Sequence, residues 1–174
     1  MDIDQFWRLV DATAGLPDRG DMLTAALSAL PEDEIVRFQL RYDDVLQSAN
    51  TVDLWGAAHL IMGGCSDDAF SDFRADLIEL GRPVFEAAVR DPDSLAGIFI
   101  PANPYRPVLE LPGAAGAAWT AKTGKTENDF FDAVDAADDR SDRGDGETGA
   151  WWNFEDPTEA RDRLPRLAAL YLKG

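Results

Sequence analysis

The stretch from Val52 to Met62 constrains this chain more than any other. Its apolar residues Leu54, Trp55, Ala57, Ala58, Leu60, Ile61 and Met62 surround the whole helical circumference. A helix with no polar side has nothing to offer water, so the rest of the chain must be wrapped around it. Gly63 and Gly64 stop it. With 174 residues and a hydrophobic fraction of 45%, the chain is long enough to do the wrapping, since a domain of this size hides roughly 70% of its unfolded surface.

The wrapping segments read as helices. Phe6, Trp7, Leu9 and Val10 share one face of a first helix over Asp4 to Thr13, which Gly15, Leu16 and Pro17 end. Met22, Leu23, Ala26, Leu27 and Leu30 mark a second over residues 19–30. Pro31 and three acids, Glu32, Asp33 and Glu34, open a third with negative charge at its positive end, running to about Ser48 on a stripe of Ile35, Phe38, Tyr42, Val45, Leu46 and Ala49. Ser66 is placed to cap a helix to Leu80 with Phe70, Phe73, Leu77 and Leu80 inward, closed by Gly81 in the left-handed conformation. At 100° per residue, Asp68, Asp72, Asp76 and Glu79 fall opposite that face, in solvent. Pro83 opens a short helix through Val89.

Prolines at 92, 101, 104, 107 and 112 then forbid a long helix, which predicts an extended, partly buried connector over 91–112 with room for a short strand pair. Helices follow at Ala114 to Thr123, from Thr126 to Ala137, and from Asp156 with a restart at Pro165. Asp138 to Gly149 reads as a surface loop, and Trp151, Trp152 and Phe154 as aromatic packing beside the last helix. The expected fold is all-α: one compact bundle of about seven to nine helices over 1–174, with a helical core over 1–96 and the connector and C-terminal helices over 97–174.

Charge narrows the function. The net charge is −17, and residues 127–163 alone hold 13 acids against four arginines. Such a field repels a phosphate backbone, so nucleic acid is not an expected partner, whereas a basic protein is. Met1 to Arg8 opens with two Asp rather than a basic, then apolar leader, and no apolar run reaches the ~20 residues of a membrane span. The single cysteine, Cys65, has no partner for an internal disulfide. The expected location is the cytoplasm.

Gly63-Gly64-Cys65-Ser66-Asp67-Asp68 is the densest local candidate for chemistry. A helix start lowers a nearby thiol's pKa, so Cys65 as nucleophile, His59 as base and Asp67 as orienter form a conceivable set. His59, Cys65, Asp67 and Asp68 are also metal-ligand types, without the repeated spacing of a zinc site. Two acids in the same first turn oppose a thiolate, however, and a cysteine between helices is commonly a packing residue. Asp67 and Arg74 are expected to matter structurally, at a polar margin of the core. Gly124-Lys125-Thr126 lacks the glycine a phosphate loop needs five residues earlier, where Trp119 stands. Residues 138–147 fit no calcium-loop register. No cofactor motif is complete.

Phe6-Trp7, Leu54-Trp55-Gly56-Ala57-Ala58 and Gly63-Gly64-Cys65-Ser66-Asp67-Asp68, followed by Phe70, Phe73, Arg74, Leu77, Ile78 and Gly81, resemble the bacterial family catalogued as domain of unknown function 4240. The resemblance covers about residues 1–96, and the tail from Asp156 to Leu172 is similar to the ends of actinobacterial members. It implies no established catalytic role. The expected function is therefore a non-catalytic binding or regulatory module for a basic protein partner. The alternative is an enzyme or metal-dependent hydrolase sited at His59, Cys65, Asp67, Asp68 and Arg74.

Overall fold

The computed structural model describes residues 1–99, 101–106, 109–138 and 146–172. Side-chain caps start several of its helices. Asp2 and Gln5 form a reciprocal capping box for α1 (Ile3–Asp11), Thr51 caps α4 (Val52–Met62), Ser66 caps α5 (Asp67–Glu79), and Thr126 with Asp129 boxes α8 (Glu127–Ala137). Each supplies an oxygen to an amide that the first turn leaves without an intrahelical partner. α2 (Arg19–Ser28), α3 (Glu32–Ser48), α6 (Arg82–Arg90) and α7 (Ala114–Thr123) complete the first two thirds of the chain. Gly63 ends α4 at φ 72°, a conformation that costs other residues about 1 kcal/mol.

The C-terminal helix is broken, as Pro165 requires, into α9 (Pro157–Arg163) and α10 (Pro165–Tyr171). Ten α-helices and one 3-10 helix are thus present among the described residues, slightly more than the seven to nine expected. The addition is the 3-10 helix Pro92–Gly97, which occupies the start of the proline-rich connector. No strand forms among the described residues there or elsewhere, so the strand pair is not found; the connector's backbone is held by side chains instead. The expected loop at 138–149 falls largely on residues 139–145, outside the described residues.

The fold is all-α, and α4 is its axis. Val52, Leu54, Gly56, Ala57, Ala58, Leu60 and Ile61 are buried, with α5, α10 and the 3-10 helix packed around them. α2, α3, α7 and α8 form the adjoining layer. Buried side chains from Phe6 to Leu167 make one cluster, in which Phe6 meets Trp7, Phe38 and Tyr42 at ring separations of 5.1, 5.0 and 6.4 Å. Among the described residues no helix is long and apolar enough to cross a membrane.

Several sequence expectations need correcting. Asp76 and Glu79, expected in solvent, are each 4% exposed, whereas Leu80, expected inward, is 40% exposed. The reason is tertiary: Tyr105, Leu109 and Leu111 of the connector bring a hydroxyl and two amides to the carboxylates at the C-terminal half of α5. Met22 points outward at 45% exposure because α2 buries the Arg19, Leu23, Leu27 line. Gly81 has a positive φ of 88° but an extended ψ of 164°, so it caps α6 rather than closing α5 in the left-handed helical form.

Candidate functional site

The residues singled out between 59 and 74 sit around the junction of α4 and α5 without forming a catalytic set. His59, on α4, places Nε2 2.9 Å from Glu155 Oε1 and makes no hydrogen bond to Cys65. Cys65 is half-buried, its thiol directed at the Ser66 carbonyl at 3.5 Å. Burial pushes that thiol up to about 11. A nucleophile needs the opposite shift, so Cys65 is overwhelmingly protonated at neutral pH. Asp67 and Asp68 are exposed on the first turn of α5, and no group of three metal-ligating side chains occurs among the described residues.

Arg74 does meet the expectation of a polar margin. Its Nη1 donates to the Leu46 carbonyl at 3.3 Å, and its guanidinium lies 5.0 Å from the centre of the Phe70 ring. Burial draws it below the usual guanidinium value, and the Glu147 carboxylate opposes that. Asp67 has no partner beside it among the described residues; the charge that answers Arg74 comes from Glu147.

The same junction carries an aromatic surface. Trp55 stacks on Phe70 with ring centres 5.0 Å apart and planes at 11°, and its indole N–H donates to the Cys65 carbonyl at 3.0 Å. Trp151 meets Trp55 edge-on at 5.4 Å, and Phe154 lies 5.7 Å from Trp151 and 5.7 Å from His59. Two backbone hydrogen bonds of 2.9 Å, Val52 N–H to Thr148 and Thr148 N–H to Asn50, tie this segment to the start of α4.

Gly56 makes room for it. A Cβ there would stand 2.1 Å from the Trp152 ring, so only glycine lets that indole lie on α4, where its N–H reaches Asp53 at 3.0 Å. Trp152 therefore behaves as the packing expected of these aromatics. Trp151 does not: it remains 58% exposed.

A second assembly was not legible in the sequence. Asp76 accepts the Tyr105 hydroxyl and, at 2.8 Å, the Leu109 N–H; Glu79 accepts the Leu111 N–H at 2.9 Å. Arg19 reaches in from α2, donating to the Glu79 main-chain oxygen at 2.5 Å with the same nitrogen 3.7 Å from its carboxylate. Burial raises the Glu79 carboxyl above its usual range, against the pull of Leu111 and Arg19. Tyr42, whose buried hydroxyl has no partner, and Tyr105 are also raised, first by burial and then by the carboxylates beside them. Leu109 holds φ 49°, a left-handed conformation that its bond to Asp76 retains. This is a clamp on the connector; the only sequence trace of it is a pair of acids one turn apart on α5.

Two concavities flank the junction. One of about 420 Å³ lies between the end of α4 and the connector, lined by Ile61, Met62, Ala69, Asp72, Pro104 and Tyr105. The other, about 200 Å³, lies under Phe154 and Glu155 beside His59 and Tyr171.

An all-α domain with a clamped connector and an open aromatic face is the class that fold and site define. Residues 1–121 match the family model described as Protein of unknown function (DUF4240), and the chain belongs to that family. The match takes in α1 to α6, the junction and the clamp, while Trp151, Phe154 and Glu155 lie beyond it. No curated protein and no solved structure matches the chain.

Proposed function

We propose that this protein is a non-catalytic docking module of the cytosol that binds a basic protein partner at the α4–α5 junction. The observation that carries the reading is Trp151, a large aromatic side chain 58% exposed within a packed aromatic cluster. Such a residue is an unusual surface choice and a frequent anchor of interfaces. Acids supply the complement: Glu155, next in the chain to Phe154, is 79% exposed, Glu147 stands next to Arg74, and Asp67 lies one turn before Phe70. With a net charge of −17, the approach of a basic surface is accelerated and that of an acidic one resisted.

The test is cross-linking in the native cells, followed by binding measurements on the purified partner across ionic strength. The expected result is a protein with a basic surface whose affinity falls as salt rises. Recovery of no protein above a charge-matched acidic control, or of a partner whose affinity ignores salt, overturns the reading.

A further inference from the structure

The aromatic cluster at the junction already binds guanidinium groups, but only those of its own chain. Arg74 lies 5.0 Å from the Phe70 ring centre on one flank, and Arg163 lies 5.6 Å from the Trp152 ring centre on another. Each is answered by a carboxylate, Arg74 by Glu147 and Arg163 by Asp53 at 3.1 Å. Trp151, the most exposed ring of the cluster, carries no cation among the described residues, and its neighbour at 5.7 Å is Phe154, which precedes Glu155 in the chain.

We infer that Trp151 is the docking platform for an arginine side chain of the partner, stacked on the indole and drawn there by the chain's net charge of −17. The inference rests on the proposed docking function and names the chemistry at its centre. Arginine fits better than lysine because a planar guanidinium stacks on an indole face while its N–H fork still reaches a carboxylate. The site is also preorganised. Trp151 is held by Trp55, which is stacked on Phe70 and bonded to the Cys65 carbonyl, and by Phe154, which packs on the Trp152 ring at 4.8 Å. An incoming arginine therefore orders little that is not already in place. Glu155, the residue after Phe154, is paired with His59 Nε2 at 2.9 Å and is 79% exposed.

The experiment uses the full chain and an acetylated, amidated peptide of alternating glycine and arginine, titrated by calorimetry with tryptophan emission followed in parallel. The lysine counterpart serves as comparison. The arginine peptide is expected to bind several-fold more tightly than the lysine one; Trp151→Ala is expected to weaken it about tenfold and Trp151→Phe less. Asp132→Asn with Asp135→Asn, on α8 and away from the junction, should change it less than about twofold. Trp151 is exposed, and unchanged thermal unfolding of both Trp151 variants verifies that they fold.

Equal binding of the two peptides, or of wild type and Trp151→Ala, overturns the arginine platform while leaving a diffuse acidic docking surface standing. Binding of neither peptide at low salt overturns both.

Discussion

The two ends of α5 carry the same chemistry and put it to opposite use. At the N-terminal end Asp67 and Asp68 are exposed, where they face the positive end of the helix and need no other partner. At the C-terminal end Asp76 and Glu79 are 4% exposed, with Tyr105, Leu109, Leu111 and Arg19 arranged around them. A carboxylate can leave water only if something else supplies its hydrogen bonds. What separates the two pairs is therefore not the acids or the helix but which segment of chain covers them.

Breaking the buried end should be costly. Asp76→Ala leaves the Tyr105 hydroxyl and the Leu109 N–H without an acceptor, so stability is expected to fall by about 3 kcal/mol. Urea unfolding measures it, and a loss under about 1 kcal/mol would show that the connector is held by something other than Asp76.

The exposed end is tested at Cys65, which immediately precedes its capping serine. With the thiol pushed up to about 11 from an ordinary value of 9.0, its thiolate fraction at pH 8 is about a hundredfold below that of an unperturbed cysteine. The reactive form increases as pH rises toward 11, so alkylation of the folded protein at pH 8 should be about two orders slower than of the unfolded chain. Fast labelling at neutral pH would mean that the helix start activates the thiol after all.

Tyr105→Phe sharpens the comparison by deleting one donor and leaving Asp76 its bond to Leu109. A loss of about 1 to 2 kcal/mol in thermal or urea unfolding is expected. The smallest effect belongs to Asp68→Asn. It removes only a favourable charge at the N-terminus of α5, for a change of about 0.5 kcal/mol that shrinks with added salt. A salt-independent loss as large as that of Tyr105→Phe would place Asp68 in an interaction the exposed position does not reveal.

Much of this molecule was legible in its residues. Val52 to Met62 had to be buried because no side of it is polar, and the ends of α4 and α7 follow from Gly63 and Gly124. Caps and prolines likewise placed the starts of α5, α8, α9 and α10 within a residue or so. These are local effects, decided by neighbours within four positions along the chain.

The site was legible only in part. The segment from His59 to Arg74 and the aromatics at 151–154 were each visible, but nothing in the sequence joins Trp55 to Trp151 or His59 to Glu155, pairs separated by nearly a hundred residues. Gly56 is the one hint, since a glycine inside a buried helix asks for a close neighbour, and Trp152 is that neighbour. The burial of Asp76 and Glu79 left no such mark. Helical periodicity states which way a side chain points; whether that direction is water or another part of the chain depends on contacts 29 to 33 positions away, and those exist only once the fold has formed.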